Sequence, residues 1–141
     1  MKLAELLTGI EALELDRNLP IWLATRTVKG QQIEGVEVVP VGGLSIDEDD
    51  QELLLISGEW VQADEVRNIT TVENFCRWAI ETQGQFADFL LHGVQNQIAL
   101  PGGGVARSCD GLVGWLLPSS PTALWLLFRP LEQWPSEWFT P

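Results

Sequence analysis

Tyrosine is absent from this sequence, histidine and methionine occur once each, and only 8 lysines and arginines stand against 20 aspartates and glutamates. Each scarcity excludes something. The two cysteines, Cys76 and Cys109, are too few for a disulfide framework, and no CxxC or Cys/His spacing suits zinc. They read as small apolar residues of a reducing compartment. No basic cluster exists to track a phosphate backbone, and a net charge of -12 repels one, so direct nucleic-acid binding is not expected. There is no run of 18 apolar residues, and Glu5, Glu11 and Glu14 interrupt the apolar stretch near the start. Neither a membrane span nor a signal peptide is expected, and the expected location is cytoplasmic. Walker, GxGxxG, GxSxG and HExxH patterns are all missing, so no cofactor or metal is expected.

What is present is 45% hydrophobic residues with seven tryptophans, enough for a real core. Acidic disordered chains lack that content, so the acidity belongs to the surface of a folded protein. A chain of 141 residues fits one domain.

Residues 2–14 carry Leu3, Leu6, Leu7, Ile10 and Leu13 at helical spacing. Strand-like segments follow at Ile21–Thr27 and Glu34–Val41, with a turn near Gly30 and Gln31, and Pro40 marks an edge or the end of a ladder. Gly42 and Gly43 open an acidic loop, and Leu53–Ile56 is the uninterrupted run of a strand covered on both faces. The second half repeats that order. Thr70 and Glu73 form a capping box that predicts a helix to about Leu91, closed by Gly93. Strands are expected at Gln97–Leu100, Val105–Arg107, Leu112–Leu117 and Ala123–Arg129. The fold class is therefore α+β, two helices packed on a mainly antiparallel sheet, because the loops between strands are too short for helical crossovers. Residues 1–130 form this domain, with a two-lobe split near residues 58–70 as the alternative, and 131–141 form a Trp- and Pro-rich tail.

The opening KLAELLTGIEAL…LPIWLATRT…IEGVEVVPV…QELLLIS resembles a pattern in small uncharacterised bacterial and prophage reading frames. It covers residues 2–57. The resemblance implies a bacterial or phage-related origin and a helix-plus-sheet first half, and it brings no site residues.

Three constellations carry candidate chemistry. Asp47, Glu48, Asp49 and Asp50 are contiguous. They fail the calcium-loop pattern, since the sixth position is Glu52 and the twelfth Gly58, and they read as a solvated loop or a contact surface for a basic partner. Cys109 and His92, with Asp88 or Asp110, are the one thiol dyad the composition allows; a nucleophilic cysteine needs a base within reach and a cationic influence. His92 is expected at a helix end, where the dipole explains it without catalysis. The run Pro101–Gly104 reads as a hairpin. Trp22, Trp78, Trp115 and Trp125 fall inside predicted elements and read as core. Trp60, Trp134, Trp138 and Phe139 fall in turn-rich or terminal segments, so the tail either straps the core or presents itself to a partner.

The leading functional expectation is a non-enzymatic acidic binding protein occupying a basic surface, as immunity proteins, inhibitors and phage counter-defence proteins do. Residues 1–60 carry 12 acids and 4 bases, and residues 61–141 carry 8 and 4, so the charge favours the first half. The alternatives are a small hydrolase or transferase using Cys109, and a structural subunit of a homo-oligomer or phage particle.

Overall fold

In a computed structural model, which describes residues 1–29, 32–118 and 123–128, the chain runs α1 (Leu3–Ala12), β1 (Ile21–Lys29), β2 (Gln32–Asp47), β3 (Glu52–Ser57), α2 (Val72–Glu81), β4 (Leu90–Ala99), β5 (Val105–Leu116) and β6 (Leu124–Phe128), with a 3-10 turn at Gly58–Trp60. The class is α+β, but the sheet is not an open one carrying helices. All six strands close into a barrel in sequence order. Each half supplies a helix and a three-stranded antiparallel meander. A meander leaves two edges of unpaired N–H and C=O groups. The halves remove them mutually: β3 pairs parallel with β4, and β6 pairs parallel with β1. The short loops that argue against parallel pairing lie within each half. The parallel seams lie between the halves, and the segment from Gly58 to Phe89 supplies the long crossover that one of them needs.

The halves also interlock through their helices. The N–H of Leu3 donates to the carbonyl of Phe89 and the N–H of Leu91 to that of Met1, so the start of α1 is pinned to the start of β4. In the same pattern, the N–H of Val72 donates to the carbonyl of Leu19 and the N–H of Ile21 to that of Thr70, pinning α2 to β1. Each helix therefore docks on the other half's first strand.

Strand alternation sends Leu53, Leu55, Leu91, Leu124, Leu126 and Phe128 inward, where they meet Leu3, Leu6 and Ile10 of α1 and Val72 and Phe75 of α2 in one buried cluster. Two glycines make this packing fit. A Cβ on Gly93 would stand 2.7 Å from the Phe128 ring, and one on Gly9 would stand 2.4 Å from the Trp115 ring. Leu53–Ile56 forms a central strand as expected, between β2 and β4, although Leu54 on its outer side is only half-buried. Pro40 is the last β2 residue paired with β1, at the point where β2 turns toward β3.

Several expected boundaries move. The second helix stops at Glu81, with Thr71 rather than Thr70 as its cap, accepting from the Asn74 N–H. Gln83 and Gly84 at φ 54° and 76° break it. Phe86 and Phe89 still pack on the core through a turn; Trp78 stacks on Phe86, which meets Phe89 edge-on. That packing mimics helical periodicity in the sequence. Gly93 lies inside β4 and caps nothing. The loop expected from Gly42 is strand as far as Asp47, bulged between Val41 and Gly43. The two strands expected across 105–117 are one, β5.

Candidate functional site

The acidic segment is the tip of the β2–β3 hairpin. Asp47 and Glu52 are the last paired residues, and the chain reverses through Glu48–Gln51. The Asp50 N–H donates to Asp47 Oδ1 at 3.1 Å. Gln51 takes a positive φ of 55° and its carbonyl accepts the Leu90 N–H at 3.0 Å, which ties the turn to β4. Glu48, Asp49 and Asp50 are exposed. Carboxylate oxygens of Asp47, Asp50 and Glu52 lie within 4.8 Å of one another. Like charges at that range repel by about 1 kcal/mol per pair even in water, so a nearby cation relieves them. Three carboxylates carry at most six oxygens, the low end of the six to eight that calcium takes, and the segment lacks the calcium-loop spacing. Beside them lies an open groove of about 490 Å³, lined by Ser45, Ile46, Asp47, Glu48, Asp49 and Leu54. Leu54 lies on this outer face with Ser45, Asp47 and Glu52, whereas Ile46 turns with Leu53 toward the core, so the groove is chiefly polar.

His92 sits in mid-strand on β4, not at a helix end. Its Nε2 is 3.7 Å from Glu52 Oε1 across the parallel seam, and its Nδ1 is buried with no hydrogen-bond partner among the described residues. It stands opposite Gly111, whereas Cys109 stands opposite Val94. Burial pushes the Cys109 thiol pKa up, the neighbouring Glu52 charge adds to that, and Arg107 opposes it. The environment thus favours the thiol over the thiolate that a nucleophile needs. Asp88 is exposed and reaches Lys2 at 3.8 Å. Cys76 is likewise raised, first by burial.

The sequence offers Arg107 as a source of positive charge for Cys109, and Arg107 does oppose the rise of that thiol, but its main partner is one the sequence did not announce. Arg107 on β5 holds Glu65 with both ends of its guanidinium, Nη1 to Oε2 at 2.7 Å and Nη2 to Oε1 at 2.8 Å. Its Nη2 also donates to the Trp60 carbonyl at 3.0 Å and its Nε to Gln97 Oε1 at 2.7 Å. The side chains are 12% and 8% exposed. Burial alone would raise the Glu65 carboxyl, but hydrogen bonds from Arg107, the Gln62 N–H and Ser45 hold it below the usual range. This clamp fastens the crossover to the outside of the barrel. Glu65 and Trp60 lie 42 and 47 positions from Arg107, so no local spacing announces the clamp.

The Pro101–Gly104 run is the tip of the β4–β5 hairpin, as expected, with Gly102, Gly103 and Gly104 all at positive φ and exposed. Trp22, Trp78, Trp115 and Trp125 are half-buried; Trp78 and Trp115 pack on the main core. Trp134, Trp138 and Phe139 lie outside the described residues. None of the described helices is long and apolar enough to cross a membrane. Comparison with known proteins found no matching family model, no matching curated protein and no matching solved structure.

Proposed function

We propose that this is a non-enzymatic binding protein whose β2–β3 hairpin receives a basic protein surface, in the manner of an immunity or inhibitor protein. One observation carries the reading: three mutually close carboxylates on a hairpin tip tied to its neighbouring strand, beside an open, chiefly polar groove. Lysine and arginine lay an aliphatic stem on apolar surface while the charged head seeks carboxylates, and half-buried Leu54 beside Asp47, Glu48 and Asp49 offers both. The net charge of -12 adds long-range steering toward a cationic partner. The raised Cys109 thiol gives the hydrolase or transferase alternative no support.

The test is capture of partners at low salt by wild type and by D47N/E48Q/D49N/D50N, followed by association rates with the captured protein. The expected result is a severalfold slower association for the variant at low salt, with the difference vanishing near 1 M salt, where the Debye length is about 3 Å. Equal rates at low salt would remove the hairpin from the recognition surface.

A second reading, self-association as a homo-oligomer, is favoured by the β4–β5 tip, where Ile98 is 59% and Leu100 46% exposed. A mass that grows with concentration in wild type but not in Ile98→Ser/Leu100→Ser would support it.

A further inference from the structure

The outer face of the β1–β6 seam carries buried side chains that the barrel itself does not cover. On β6, Leu124, Leu126 and Phe128 belong to the main core, and alternation turns Trp125 and Leu127 the other way. On β1, Leu23 belongs to the core, and Trp22 and Ala24 face outward. The outer side of a strand meets water unless something lies over it. Yet Ala24 is 1% exposed and Leu127 0%, and they form a second small cluster apart from the core. The indole Nε1 of Trp125 is also screened from solvent, with no hydrogen-bond partner among the described residues.

Among the described residues, the apolar side chains packed on Ala24 and Leu127 are Val113 and Leu116 of β5. That strand pairs with β6, so they stand beside the pair in the same sheet and not above it. The helices are engaged elsewhere, with Leu3, Leu6 and Ile10 of α1 and Val72 and Phe75 of α2 in the main core. Three stretches lie outside the described residues. Residues 30–31 are a glycine and a glutamine, and residues 119–122 are two serines, a proline and a threonine. Residues 129–141 are different, since they bring Leu131, Trp134, Trp138 and Phe139. They also start in the right place, one position beyond Phe128 on the strand that carries Leu127. At roughly 3.3 Å per residue, this stretch reaches about 43 Å, whereas three strands at roughly 4.8 Å spacing are only about 10 Å across. Each tryptophan or phenylalanine can cover about 150–250 Å² of apolar surface.

We propose that residues 129–141 strap the outer face of the β1–β6 seam, with the rings of Trp134, Trp138 and Phe139 supplying the cover over Ala24 and Leu127. The strap takes those three rings out of partner recognition. It goes beyond the hairpin reading and does not depend on it.

The experiment is methyl NMR on the full chain with ¹³C in the alanine and leucine methyls. The two reporters are assigned by their loss in Ala24→Ser and Leu127→Ile. Nuclear Overhauser contacts are expected from both to ring protons of the tail, assigned with Trp134→Phe, Trp138→Phe and Phe139→Leu. A mixture of labelled and unlabelled chains should show that these contacts form within one chain. As a second reading, the Trp125 indole N–H should exchange with D2O about tenfold faster in W134A/W138A/F139A, through local opening alone. The Leu91 amide, bonded to the Met1 carbonyl, should stay protected in that variant. If it does not, the variant has unfolded and the methyl contacts in wild type decide alone. Absence of methyl contacts to the tail would overturn the strap. Contacts found only between chains would overturn it in favour of a second copy. Unchanged indole exchange with Leu91 still protected would also overturn it.

Discussion

The two parallel seams that close the barrel occupy equivalent places in the two halves, and they are alike on one side only. Facing the core, Leu53 and Leu55 of β3 meet Leu91 and Gly93 of β4, while Leu124 and Leu126 of β6 meet Ile21 and Leu23 of β1. Facing outward, the first seam pairs Glu52 with Leu90 and Leu54 with His92, and the second pairs Trp125 with Trp22. The inward positions are constrained by close packing, so they stay apolar and differ only where a ring needs room, as Gly93 does beneath Phe128. The outward positions are mostly half-buried and less constrained. The first seam shows a glutamate, a histidine and two leucines there, and the second shows two tryptophans.

The strongest way to break the comparison is through the clamp that fastens the crossover beside the first seam. Arg107→Met leaves Glu65 buried and unpaired, and is expected to cost about 3–5 kcal/mol in denaturant unfolding. Arg107→Met/Glu65→Leu should recover much of that loss, since no charge is then stranded. The Arg17–Glu73 pair, which links the chain ahead of β1 to α2 on the surface, is the control; it is exposed, and Arg17→Met should change stability little.

The seams themselves come next. Leu23→Ala empties space at a fully buried position and is expected to cost about 2–5 kcal/mol. Gly93→Ala at the equivalent position pushes a methyl into the Phe128 ring and should cost about 1–3 kcal/mol. Unchanged melting of Gly93→Ala would mean that the two seams pack by different rules.

Acid should act through the clamp. The Glu65 carboxyl is held below its ordinary value, so the unfolded chain binds the proton more readily than the folded one. The stabilisation is present above the unfolded value, about 4.3 for glutamate, and is lost as pH falls through the folded one. Wild type should therefore lose stability below about pH 4 more steeply than Glu65→Gln. Parallel curves for the two would contradict this.

Much of this fold was legible. Leu3, Leu6 and Ile10 announced α1, and the Leu53–Ile56 run announced a central strand, because burial on one or both faces writes directly into apolar spacing. The end of α2 was not legible, since Phe86 and Phe89 reach the core from a turn at spacings that continue the helical stripe. Barrel closure was hidden as well. The seams join residues far apart in sequence, and nothing local distinguishes an edge strand from one paired with the other half. Of the site residues, Asp47–Asp50 stood out by composition. Arg107 stood out only as a charge near Cys109, and its pairing with Glu65 did not, because a buried ion pair is recognised only when its partners are seen together.

The smallest effect bears on stability and the most direct on function. D47N/E48Q/D49N/D50N should leave melting unchanged or slightly raised, since the carboxylates that crowd Asp47, Asp50 and Glu52 repel one another. The central claim, that the first seam and its hairpin are the recognition surface, is tested by mapping amide shifts of the wild-type protein during titration with an oligolysine peptide at about 150 mM salt, where the Debye length is about 8 Å. The account predicts perturbations concentrated at residues 45–54 and at His92 of the adjoining strand, and lost in D47N/E48Q/D49N/D50N. Perturbations spread over the surface in proportion to its carboxylates, or centred on the Trp22–Trp125 seam, would contradict it.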